Sequence, residues 1–317
     1  MARNRKRKGD PIHGWLCLDK PLDITSTQAV SLLKRLYNAQ KVGHGGTLDP
    51  LATGILPIAF GNATKTVAWA MDADKDYVFT VSWGIATASY DAEGVEIARS
   101  DVRPDREAIE AALPDFVGDI EQIPPKFSAI KVDGQRAYDL ARDGEDFELE
   151  ARQVTVHEAK LISVDEGVSA TFHVRSGKGF YVRAMARDIA HALGTEGHIT
   201  ALRRTRVGVF SEENSVTLAE LQALGEAADK DGLMALLAPI EIALNDIPLV
   251  DINTHDAGQI FNGQAVVLLP HIVDHWKENR SSNPEDDRLA VAMDGDRAVA
   301  LGEVRAGRFQ PIRVFAS

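Results

Sequence analysis

Cysteine is almost absent. Cys17 is the single one in 317 residues, which excludes an intramolecular disulfide and any cysteine-built metal cluster. Long apolar runs are missing as well: no segment approaches the ~18 consecutive apolar residues that cross a bilayer as a helix. The start of the chain, Met1 to Lys8, is basic like a signal n-region, but no apolar h-region or small-residue cleavage site follows it. Together these absences point to the reducing cytoplasm.

Basic residues are outnumbered, 35 Lys and Arg against 47 Asp and Glu, for a formal net charge of −12. Taken whole, that balance disfavours a polyanionic partner. Its distribution reverses the conclusion. Residues 1–20 carry six bases against two acids and residues 172–206 seven against two, whereas 91–122 hold ten acids against three bases and 211–247 eight against one. Attraction to phosphate acts over about 10 Å in salt, so a chain with segregated charge can bind RNA on one face. The remaining composition, 44% hydrophobic and 26% charged, is that of a globular protein. At ~150 residues per domain, the length suits about two domains.

The most informative stretch is Gly43-His44-Gly45-Gly46-Thr47-Leu48-Asp49-Pro50-Leu51-Ala52-Thr53-Gly54. Its glycines allow backbone angles or close contacts that a Cβ obstructs, and Pro50 pushes Asp49 towards an extended conformation. Asp49 is therefore expected on a shaped loop and not on a helix face. This run resembles the catalytic motif of the TruB family, the bacterial tRNA pseudouridine-55 synthases. Four further segments are similar to family motifs, in family order. They are Gly14-Trp15-Leu16-Cys17-Leu18-Asp19-Lys20-Pro21; Ile123 to Lys131 with Gly134 and Tyr138; Gly179-Phe180-Tyr181-Val182-Arg183; and Leu202-Arg203-Arg204 with Val207-Gly208. The likeness covers roughly residues 12 to 210. Two positions depart from it, Gly45 where many members have threonine and Phe127 where many have tyrosine.

The pattern of elements is α+β. Thr25, Ser26 or Thr27 can cap a helix with Ala29, Val30, Leu32, Leu33 and Leu36 on one face. Tyr77, Phe79, Val81 and Trp83 alternate with polar or smaller residues as in a strand. Val182 to Leu193 keeps a helical stripe that ends at Gly194, with Arg183 and Arg187 near its start, and Arg203, Arg204 and Arg206 fall in a following strand. The resemblance implies the pseudouridine synthase fold, a mixed central sheet with a cleft across it, plus a small C-terminal PUA-like β-domain. The expected divisions are a flexible basic arm over 1–10, a catalytic domain over 11–246 and the β-domain over 247–317. Residues 271–288 read as a polar mobile loop.

By resemblance, Asp49 is the catalytic carboxylate. A carboxylate that must stay ionised needs a cationic neighbour, and the family pattern gives that place to Arg183. Arg187, one turn on, is expected to meet phosphate or solvent. Tyr77 is implied against the target uracil, Tyr181 and Leu202 at the nucleotide pocket, and His44 in binding the everted nucleotide. On pattern alone, His44 in a glycine-rich loop reads as solvent-exposed. Lys20, grouped with the substrate-binding residues, supports the active loop or the backbone. The implied partner is the tRNA T-arm, met by a monomer with no protein partner, no membrane and no cofactor. Three alternatives stand beside this reading: a tRNA folding chaperone of the same fold, an RNA-guided synthase of the archaeal and eukaryotic type, and a phosphate-cradling loop at Gly43–Gly46. The last lacks a following Gly-Lys-Ser/Thr.

Overall fold

The computed structural model of the chain describes residues 9–132, 134–280 and 286–315. Alternating apolar residues build a central sheet that is covered on both sides. In the strand Gly14–Lys20, Trp15 and Cys17 join one core cluster and Leu16 and Leu18 the other. In Ala52–Phe60, Ile55 and Ala59 face the first while Leu56, Ile58 and Phe60 face the second. A strand buried on both faces reads as a continuous apolar run, as this one does.

Among the described residues the sheet has ten strands. Its main path runs Val216–Thr217, Gly14–Lys20, Ala52–Phe60, Gly197–Val207, Lys75–Trp83, Ser169–Ser176, Arg152–Asp165, Gly118–Gln122. Gly197–Val207 is the strand that organises the site. It runs parallel to Ala52–Phe60 and antiparallel to Lys75–Trp83, setting Leu202 opposite Ala52 and Phe79, and Arg204 opposite Gly54 and Tyr77. Helices Ser26–Leu36 and Val182–Ala192 pack on the face of Leu16, Leu18, Phe79 and Phe172. The first is capped by Thr25, whose hydroxyl accepts from the Gln28 backbone while the Gln28 side chain accepts from Thr25 in return.

A second sheet of five strands follows, ordered Leu249–Asp251, Leu289–Asp294, Arg297–Arg305, Arg308–Val314, Val266–Val267. It has its own core around Val250, Ile260, Val299 and Phe309. Leu244, Ile247 and Phe315 join it to Trp69 and Ile240 of the larger unit. One expectation fails here. The stretch expected as a mobile loop over 271–288 opens with the helix Pro270–Asn279, whose Trp276 is buried and donates its indole N–H to the Leu289 carbonyl at 3.0 Å. Of the arm expected over 1–10, residues 1–8 lie outside the described residues, but Asp10 is docked, its N–H bonded to the Asn38 carbonyl at 2.6 Å.

Backbone geometry makes opposite demands at two glycines. Gly54 sits at φ +99°, and a Cβ there would lie 2.2 Å from the Arg204 carbonyl oxygen. Gly258, exposed within the helix Thr254–Phe261, has open space around it and ordinary φ. Gly54→Ala is therefore expected to lower the denaturation midpoint by a strain of about 1–3 kcal/mol. Gly258→Ala should raise it by about 0.4–1 kcal/mol through the unfolded-state entropy. Urea melts of the two variants beside the parent chain check both signs.

Candidate active site

Asp49 lies on a loop, as its neighbours in sequence imply, and side chains from several separate elements hold that loop. The Arg204 guanidinium, buried, donates to the carbonyls of Gly46 at 3.1 Å, Thr47 at 3.3 Å and Ile55 at 2.8 Å. Ser26, at the start of its helix, bonds Leu48 twice: its hydroxyl donates to the carbonyl at 3.0 Å and accepts from the N–H at 2.8 Å. The ammonium of Lys20 donates to Pro21 and Ile24, both at 2.9 Å, and reaches Pro50 at 3.5 Å. Together these contacts remove the loop's freedom before any substrate arrives.

Asp49 itself is held by Arg183. From the helix Val182–Ala192, Nη2 of Arg183 meets Oδ2 of Asp49 at 3.0 Å and donates to the Phe127 carbonyl at 2.9 Å, while Nη1 donates to the Ser89 carbonyl at 3.2 Å. Behind it, Asp91 Oδ2 lies 3.5 Å from Nη1, and Asp91 Oδ1 accepts from the Ser89 hydroxyl and, at 3.0 Å, from the Glu93 N–H. Side-chain exposure separates the roles: 9% for Arg183 and 3% for Asp91, against 37% for Asp49. A buried cation backed by a buried carboxylate thus presents one accessible carboxylate to the pocket.

That pocket, about 450 Å³, is lined by Asp49, Tyr77, Tyr181, Arg183 and Leu202 of the expected residues, together with Lys75 and Arg204. Tyr77 is buried, its ring centroid 6.4 Å from that of Phe180. Burial pushes its phenol above the usual range, opposed by the Arg204 guanidinium within hydrogen-bonding reach. Tyr181 precedes the helix, and its N–H donates to the Gln122 side chain at 2.8 Å. The wall carries four bases, Lys75, Arg136, Arg183 and Arg204, against two acids, Asp49 and Asp139. Its charge is therefore positive in a chain of net charge −12. A larger cleft of about 800 Å³ contains none of the expected residues and is lined by Asp72, Asp74, Asp119 and Asp246, which repel phosphate.

Lys20 and His44 do not line the pocket. Lys20 is fully buried under the loop, so of its two expected roles only the supporting one matches its place. Burial pulls its ammonium down to about 8, with Asp49 opposing that shift. His44 pairs with Ile58 in the sheet, half-buried and not solvent-exposed, and its Nδ1 is buried without a partner among the described residues. Burial and the Arg204 charge lower its pKa.

Arg187 also departs from expectation. Its side chain is only 13% exposed and is held by protein: its guanidinium bonds Asp188 at 2.7 Å and the Ile123 carbonyl at 2.9 Å, and lies 5.3 Å over the Tyr90 ring. The basic stretch 172–206 is largely consumed in the same way, Arg175 and Arg206 on Asp76, and Arg203 on Asp19 and Glu212. Sequence reading missed the parts played by Arg204 and Asp91. Both are buried charges, but nothing in the local pattern reveals that Arg204 reaches Thr47, 157 residues away, or that Asp91 pairs with Arg183. The two departures are accommodated. A Cβ at Gly45 would press to 3.0 Å from that of Ala70, and Phe127 supplies Arg183 with a backbone carbonyl that any residue would provide. Among the described residues, no group of three or more His, Cys, Asp or Glu side chains is arranged to hold a metal ion.

Arg204→Lys tests the forked grip on the loop. Arg204 reaches the three carbonyls through three separate nitrogens, whereas a lysine keeps the charge but gathers its donors on one, so stability should fall by about 1–3 kcal/mol as buried acceptors lose their donors. The melting midpoint measures this, and an unchanged midpoint would show that the three carbonyls do not depend on the fork.

Comparison with known proteins agrees with this geometry. Residues 34–182 match the model of the TruB family pseudouridylate synthase N-terminal domain, and residues 183–245 that of the tRNA pseudouridylate synthase B C-terminal domain. The tRNA pseudouridine synthase B of Caulobacter vibrioides is 55% identical over 311 residues, covering 98% of each chain. That of Bradyrhizobium diazoefficiens is 50% identical over 312 residues, covering 98% of this chain and 88% of its own. Among solved structures, a chain of a Cbf5-Nop10-Gar1 complex superposes with a TM-score of 0.69 at 26% identity, over 96% of this chain and 84% of that one. With the motifs in family order, a full-length relative at this identity and a matching fold, the chain belongs to the TruB family of pseudouridine synthases.

Proposed function

We propose that this protein isomerises the T-loop uridine at tRNA position 55 to pseudouridine, with Asp49 as the essential carboxylate. The observation that carries this reading is the accessible Asp49 carboxylate, fixed at 3.0 Å by a buried Arg183 in the wall of a positively charged pocket. A folding chaperone of the same fold would leave that pair without a use.

The reaction breaks the N1–C1′ bond of the uridine, turns the detached uracil and forms a C5–C1′ bond. The C5 proton is lost and N1 gains one, so atoms balance with no redox cofactor and no energy source. Asp49 acts as the nucleophile or stabilises charge at the separated sugar. Three routes fit this placement: attack on the base, attack on C1′, or removal of the C2′ proton. Arg183 holds and aims the carboxylate. Tyr77 lies against the uracil and assists at C5. Tyr181 and Leu202 shape the nucleotide pocket, His44 takes part in binding the everted nucleotide and in occupying the space it vacates, and Lys20 supports the loop. Extrusion from the folded T-arm costs a few kcal/mol, offset by phosphate contacts and stacking on aromatics. We place the catalytic domain over 11–246 and a PUA-like domain over 247–317, in a cytoplasmic monomer that needs no protein partner.

Incubating the purified protein alone with unmodified tRNA transcript, in excess chelator with the RNA fold controlled, should yield pseudouridine at position 55 only. Asp49→Asn should abolish this conversion while tRNA affinity stays within about twofold, since the change is isosteric. Conversion at another site, or normal turnover by Asp49→Asn, contradicts the proposal.

A further inference from the structure

Among the described residues, Lys75 is a buried cation without a counter-ion. Its ammonium donates to the carbonyls of Met71 and Ala73, leaving one of its three N–H bonds unused among the described residues. The nearest carboxylates are engaged elsewhere, Asp72 with Lys178 at 3.4 Å and Asp74 with His157 at 3.1 Å. Burying a charge unpaired is costly, so a chain that does so needs a reason. Lys20 shows what a purely structural ammonium looks like here: fully buried, with three carbonyl contacts, and outside the wall of this pocket. Lys75 has two such contacts and stands in the pocket wall beside Met71, Gly177 and Gly179.

Its place on the strand gives the reason. Lys75 and Tyr77 are two residues apart on Lys75–Trp83, on the same face of the sheet and about 6–7 Å apart along it. That separation is of the order between a nucleotide's base and its own phosphate. The other buried cations of the wall are committed, Arg183 to two carboxylates and Arg204 to three carbonyls. Burial and the charge of Arg204 pull the Lys75 ammonium down to about 8 against the opposing pull of Asp72 and Asp74, a shift that a bound anion would reverse. We propose that Lys75 is the phosphate-binding residue of the nucleotide pocket, its free N–H taking a phosphodiester that flanks the everted uridine. This rests on the uridine-isomerising reading above and adds a subsite to it.

The test uses T-arm hairpins in which each phosphate flanking the target uridine is replaced singly by a neutral methylphosphonate, with affinity measured separately from conversion. Conversion of the unmodified hairpin by the parent protein checks the functional reading on its own. One neutral linkage should then weaken binding to the parent protein about tenfold, the scale of a lost charged hydrogen bond. Lys75→Met should weaken binding of the unmodified hairpin by a similar factor, and the same linkage should cost it less than about twofold further. Lys75→Gln retains a donor for the Met71 and Ala73 carbonyls without the charge, and should behave likewise if Lys75→Met folds poorly. No costly flanking linkage in the parent protein, or costs that multiply in the variants, would overturn the proposal and leave Lys75 a scaffold lysine.

Discussion

One ion pair sets the terms for everything around it: the Arg183 guanidinium against the Asp49 carboxylate. An arginine in a nearly dry site is expensive unless its donors are met, and here they are met by Asp91 and the carbonyls of Ser89 and Phe127 as well as by Asp49. These partners come from three separate stretches of chain, around Asp49, Ser89 to Asp91 and Phe127. The pair can exist only when the sheet, the helix Val182–Ala192 and the loop around Phe127 are all in place. Folding and the aim of the carboxylate are thus one requirement.

The loop itself shows the same economy of freedom. Arg204 reaches it from the central strand, Ser26 from a helix N-terminus and Lys20 from the first strand. None of these is a flexible surface contact; each donor is buried. A carboxylate so fixed needs little reorganisation at the moment of reaction, which is where preorganised sites gain their advantage over water. The same logic explains why the arginine-rich stretch around the site is not a free cationic face. Most of its members hold protein together, and the pocket's positive charge comes from only four side chains.

How much of this was legible in the sequence varied with the distance over which the physics acts. Asp49 on a loop follows from Gly46 and Pro50, which act on their own neighbours. The capped helix at Thr25 and the strand through Tyr77 follow from short periodicities. Arg183 was accessible only through family resemblance, because its partners lie far away in sequence. Arg187 misled: helix spacing places it near Arg183, but says nothing of the Ile123 carbonyl that captures it. Arg204 and Asp91 stayed invisible for the same reason. In the C-terminal unit, the polar composition of 271–288 concealed Ile272, Val273 and Trp276, whose spacing is helical and whose burial the second sheet completes.

The central claim is that Asp91 acts on the reaction only through Arg183, as a positioning residue. A double-mutant cycle of Asp91→Asn and Arg183→Met, read as single-turnover rates at saturating tRNA, tests it directly. If the claim holds, each single change slows conversion strongly, and Asp91→Asn adds almost nothing once Arg183 is gone, for a coupling of about 0.5–3 kcal/mol. Rates that multiply, with Asp91→Asn equally costly in both backgrounds, would contradict it.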